Sequence, residues 1–109
     1  MSKIIVATAE TIANYQVTET FGEVFGQTTR SRNIISNFGQ NLKSVVGGEI
    51  KGYTQLQEES RQEALDRLRE AAEKIGANAV ICCRFDSNSN TIGDSVTAYG
   101  TAVTIEPRN

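Results

Sequence analysis

The chain has 109 residues, a net charge of -2, two cysteines and no histidine, and only 6% of it is aromatic. That length makes one domain, spanning 1–109, with a modest and mostly aliphatic core. A near-neutral balance without a Lys/Arg stripe argues against nucleic acid as the main partner. The missing histidine excludes serine–histidine and cysteine–histidine catalysis. No apolar run approaches the roughly 18 residues of a membrane span, and Lys3-Ile4-Ile5-Val6-Ala7 is too short for a signal peptide. Two adjacent cysteines cannot build a disulfide framework, which fits a reducing compartment. A soluble cytoplasmic protein is the expectation.

In chain order, Lys3 to Thr8 reads as a short strand and Glu10 to Asn14 as its connection. Tyr15 to Gly26 is rich in β-formers. Tyr15, Val17, Phe21 and Phe25 share a parity there, so that face is expected to be buried. Gly22 and Gly26 suggest a bulge or a close backbone approach. Asn33 is placed to cap a first helix whose apolar face holds Ile34, Ile35, Phe38, Leu42, Val45 and Val46, and which Gly47-Gly48 ends. Glu49 to Gly52 links it to the next helix.

That second helix carries the most consistent pattern in the chain. Thr54 and Gln57 form a capping-box pair, and Leu56, Ser60, Ala64, Leu68, Ala71, Ala72 and Ile75 recur at helical spacing. Glu63–Arg67 and Glu70–Lys74 stand one turn apart with the acid leading. Gly76 supplies the left-handed stop. Ala79 to Phe85 then reads as a strand, with Ala79, Ile81, Cys83 and Phe85 facing the helix and Val80, Cys82, Arg84 and Asp86 facing away. Ser87 to Ser95 is a turn by composition, and Val96 to Ile105 is the last strand, closed by Pro107.

This order predicts an α+β domain, an antiparallel sheet with two helices packed on one face. One helical layer covers one sheet face, yet both parities of the last strand are apolar. The uncovered face is expected to be sheltered by further copies of the chain, in closed symmetry.

Little in the sequence carries chemistry. Cys82-Cys83 is the one soft-ligand pair, but neighbours on a strand point to opposite faces and cannot grip one ion together. A soft-metal site would need Cys82 from several subunits to meet near an axis. Asp86, Asn88 and Asp94 supply oxygens for a hard cation, but without EF-hand spacing a solvated turn is expected. The acidic face of the second helix is interspersed with arginines and reads as a solvent-facing or rim surface. Gly47-Gly48-Glu49-Ile50-Lys51-Gly52 lacks the P-loop pattern and reads as a helix end and connector. Arg30 and Arg32 are candidates for an anion or a neighbouring subunit. No catalytic residue, cofactor motif or single-chain metal-ligand set emerges.

Asn33-Ile34, Val45-Val46-Gly47-Gly48, Tyr53, Leu56, Arg61, Ala64, Gly76-Ala77-Asn78-Ala79-Val80 and Gly100-Thr101-Ala102-Val103, in that order along nearly the whole chain, resemble the YbjQ family. That family comprises small bacterial proteins described as "putative heavy-metal-binding". The resemblance implies a dodecin-like subunit in a homopentameric ring, the assembly being either that pentamer or a decamer of two rings. Two departures touch the metal: Cys83-Arg84-Phe85 stands where the family often alternates acidic residues, and Thr29-Arg30-Ser31-Arg32 replaces a small, glycine-containing segment. The expected function is non-enzymatic binding or scaffolding by a homo-oligomer, with metal as the inherited ligand. The alternative is a small-molecule binder using pockets between subunits, and an enzyme with carboxylate or arginine chemistry at a subunit boundary is a third class.

Overall fold

The computed structural model describes residues 4–31, 33–34, 45–46 and 49–109. Strands β1 (Ile5–Val6), β2 (Tyr15–Ser31), β5 (Ala79–Ser89) and β6 (Gly93–Pro107) form one sheet in the order β1-β5-β6-β2. Strands β3 (Val45–Val46) and β4 (Glu49–Ile50) pair separately, and helix α1 (Lys51–Lys74) lies over β2 and β6.

Two parts of the expected architecture are corrected. The sheet is mixed: β1 runs parallel to β5, pairing Ile5 with Ala79 and Val6 with Val80, while the other neighbours are antiparallel. A two-residue strand carries no signal of its direction, and the chain's return to the opposite edge sets it. The packed layer is a single helix among the described residues. Of the helix expected from Asn33 to Val46, Asn33 and Ile34 are helical, but Ser31 rather than Asn33 accepts the Ile34 N–H. Residues 35–44 lie outside the described residues. Val45–Val46 is a strand paired with Glu49–Ile50, so β-branched residues assigned to a helix face go to a small hairpin instead.

Helix α1 starts at Lys51, ahead of the expected Thr54 cap, because β4 feeds directly into it. Its end is as read from the sequence. Gly76 sits at φ 87°, its N–H donates to Glu73 O at 3.1 Å and that of Ala77 to Ala72 O at 3.1 Å, the Schellman arrangement. Leu56, Ala64, Leu68 and Ala72 are buried on the sheet face, whereas Ile75, at the frayed last turn, is exposed.

The helix can sit close because the sheet beneath it is made of small residues. A Cβ on Gly26 would lie 2.1 Å from Ala64 O and 2.3 Å from Leu68 N, so glycine is required for backbone-to-backbone contact. Ala98 and Ala102 are fully buried beside it, and Val24, Val80 and Cys83 complete this core.

The face of β5 toward the helix is not the one expected. Val80 packs in the helix-side core, while Ala79 belongs with Val103 and Ile105 on the other side. Between Ile81 (opposite Thr101) and Arg84 (opposite Tyr99) a bulge sets Cys82 and Cys83 against Gly100 alone, with Cys82 at φ 57°. The extra residue flips the parity, which is why Cys83 still reaches the core. A Cβ on Gly100 would meet Val80 Cγ1 at 2.6 Å and Ile81 O at 2.9 Å, leaving no room for a side chain at the bulge.

The far face is divided. At the Pro107 end, Ile12 from the β1–β2 connection and Tyr15 at the start of β2 pack on Ala79, Val103 and Ile105. Towards the hairpin no segment among the described residues plays that part. Phe25 and Tyr99, paired across β2 and β6 with ring centroids 6.3 Å apart, are 58% and 39% exposed. The face of Tyr15, Val17, Phe21 and Phe25 is therefore not buried within one chain. Val17 and Phe21 are exposed with Phe25, and the buried β2 residues are Val24, Gly26 and Thr28.

Candidate functional site

Between the first turns of α1 and the β5–β6 hairpin lies a cavity of about 240 Å³. Tyr53, Gln57, Ser60 and Arg61 line it from the helix, Arg30 from β2, and residues 87–89 and 94–96 from the hairpin. Its lining is mixed: Leu56 and Val96 are apolar, and Ser60 brings a hydroxyl to a helix face otherwise held by leucine and alanine.

A chain of polar contacts builds this end. The Ser60 hydroxyl donates to Leu56 O at 2.9 Å and accepts Arg30 Nε at 3.3 Å. Arg30 Nη2 reaches Glu63 Oε2 at 3.4 Å, and Arg67 Nη2 reaches Glu63 Oε1 at 3.1 Å, the one-turn pair expected from the sequence. The buried Thr28 hydroxyl also donates to Glu63. That bond, aided by the two guanidinium groups and opposed by burial, holds the Glu63 carboxyl below its ordinary value. Glu63, expected on a solvent-facing or rim surface, joins helix to sheet through Thr28 and Arg30. At the cavity mouth Tyr53 Oη donates to Asp94 Oδ2 at 2.9 Å, and Ser89 Oγ donates to Asp94 Oδ1.

The hairpin itself is tighter than its composition suggests. Strand pairing runs to Ser89 and resumes at Gly93, and Asn90 Oδ1 accepts the N–H groups of Ile92 and Gly93. Asp86 pairs with Thr97 and Asn88 with Ser95, on the opposite parity from Ser89–Asp94, so strand register does not gather Asp86, Asn88 and Asp94 into a cage.

Cys83 is buried with its thiol pKa pushed up by burial, and Cys82, half-buried, occupies the bulge. No group of three or more His, Cys, Asp or Glu side chains able to hold a metal occurs among the described residues. The stretch from Gly47 to Gly52 contributes β4 and the helix start, with Gly47 and Gly48 outside the described residues. Arg32 also lies outside them, whereas Arg30 is brought into the cavity. The sequence reading missed that Arg30, bonded to Ser60, lines one cavity with Arg61. The available signal was Ser60 itself, a hydroxyl on an otherwise apolar helix face.

The family model described as "Putative heavy-metal-binding" (YbjQ) matches residues 4–106. The chain is 56% identical over 106 residues to the UPF0145 protein YjfJ of Lactococcus lactis, covering 97% of this chain and 98% of that one. It is 57% identical to a UPF0145 protein of Oenococcus oeni, over 94% and 97% of the two chains. A Pediococcus pentosaceus protein of unknown function, placed in the DUF74 family, shares the fold at a TM-score of 0.56, with 15% identity and coverage of 94% and 98%. A family model and near-full-length relatives thus agree, and the chain belongs to the YbjQ family of UPF0145 proteins.

Proposed function

We propose that this chain is a non-enzymatic binding or scaffold protein of the bacterial cytoplasm that works as a homo-oligomer. The observation that carries this is the divided far face: Ile12 and Tyr15 cover one part of it, while Phe25 and Tyr99 stand open in the other. Leaving an aromatic pair in water is costly, and a second copy offers the same apolar surface in return. A closed ring of five copies is the size the family resemblance implies. Native mass spectrometry tests this, since it counts subunits and retains bound ions; a monomer at working concentration would overturn it.

Metal enters this reading through the family description and through assembly. Each chain offers one partly accessible thiol, Cys82, so a soft-metal site requires Cys82 from several copies. Zinc and cadmium are expected to bind weakly in calorimetry. Tight stoichiometric binding that Cys82→Ser abolishes would make metal the main ligand after all.

A second reading is favoured by the cavity between α1 and the hairpin: the protein binds a small molecule there. The cavity is formed within one chain, so this reading does not depend on how many copies assemble.

A further inference from the structure

We propose that the cavity between α1 and the β5–β6 hairpin takes a small organic anion bearing hydroxyl groups, held by Arg30 and Arg61. This rests on the small-molecule reading and names the ligand's chemistry.

The charge pattern comes first. Arg30 is pinned by Ser60 through Nε and by Glu63 through Nη2, and its Nη1 has no partner among the described residues. Its guanidinium is therefore oriented before any ligand arrives, which lowers the entropic cost of binding. Glu63 is shared between Arg30 and Arg67, so one carboxylate faces two cations. Arg61 lines the same cavity and makes no ion pair or hydrogen bond among the described residues. Among the described lining residues the carboxylate is Asp94, which accepts the hydroxyls of Tyr53 and Ser89. Arg30 and Arg61 against Asp94 leave one positive charge in excess among those residues. The first turn of α1 contains no acidic residue, so the positive end of the helix dipole adds to that excess.

Size and remaining chemistry set the rest. A volume of about 240 Å³ lies below the roughly 300–1,000 Å³ of sites for drug-sized ligands. Gln57, Asn88 and the serines of the hairpin supply partners for hydroxyl groups, while Leu56 and Val96 line the cavity for a short carbon skeleton. A guanidinium fork matches a phosphate or carboxylate and repels a metal cation.

Isothermal titration calorimetry of the full chain at low salt tests this with three probes: glycerol 3-phosphate, glycerate and glycerol. At least one anion should bind at one site per chain and at least tenfold more tightly than glycerol, and which one binds identifies the anionic group. Arg61→Gln should weaken that binding at least tenfold, while Lys74→Gln, an exposed charge at the far end of the helix, should leave it unchanged. Equal losses in both variants would show general charge attraction and overturn the assignment, as would anion binding indifferent to Arg61→Gln. Glycerol binding as tightly as the anions would overturn the anion while leaving a small-molecule site. Absence of heat with all three, supported by unchanged melting temperatures, would overturn both.

Discussion

The two ends of the sheet solve the same packing problem differently. Towards the Pro107 end the chain itself covers much of both faces: α1 covers Val80 and Ala102, and Ile12 and Tyr15 cover Ala79, Val103 and Ile105, leaving Val17 exposed beside them. At the hairpin end the helix side is held by Thr28, Arg30, Ser60 and Glu63, and the other side leaves Phe25 and Tyr99 exposed. Small apolar residues allow close contact and leave nothing for a partner to read. Polar contacts across a wider gap leave a cavity, and an uncovered aromatic pair leaves a surface. The proposed binding and assembly both draw on the second end.

Substitutions should separate the two ends. Leu68 is fully buried in the helix–sheet core, so Leu68→Ala should cost about 2–5 kcal/mol in urea unfolding. A loss under about 1 kcal/mol would mean the helix does not depend on that core. Gly26→Ala should come next, at about 1–3 kcal/mol, because its Cβ would strike helix backbone that cannot rotate away. An unchanged unfolding midpoint would contradict the close approach.

At the hairpin end the effects should be smaller and depend on pH. The Glu63 carboxyl is held below the ordinary 4.5 in the folded protein. Ionised Glu63 therefore adds stability that is present above its unfolded value and fades as pH falls through the lowered folded value. Denaturation midpoints measured across the acid range should show this loss, and Thr28→Val, which removes the largest cause of the shift, should flatten it. A Thr28→Val profile parallel to the wild type would sink the assignment. Tyr53→Phe should have the least effect, about 0.5–1.5 kcal/mol for one partly buried hydrogen bond. A larger loss would mean the hairpin clamp supports the fold as well as the cavity.

Much of the closed end was legible from local pattern. The spacing of Leu56, Ala64, Leu68 and Ala72 names the buried helix face, and Gly76 marks its end through a backbone conformation that favours glycine. The faces of β5 were not legible, since a bulge at Cys82 inverts the alternation and no glycine announces it in that strand. The signal lay across the sheet, in Gly100. The cavity was still less accessible. Arg30 and Arg61 line one cavity because β2 pairs with β6 all the way to Ser31–Gly93, which carries Arg30 beneath the helix. The parallel course of β1 likewise depends on where the chain crosses, not on Ile5 and Val6 themselves. Local periodicity fixes elements, whereas bulges and crossings decide which residues share a site.

The most direct test of the open far face is sedimentation velocity at micromolar concentration, on the wild type and on Phe25→Glu. Closure by neighbouring copies predicts a species several times heavier than the 11.9 kDa chain, shifted towards smaller species by the glutamate while the helical signal persists. A wild type that sediments as one folded 11.9 kDa copy would contradict the account.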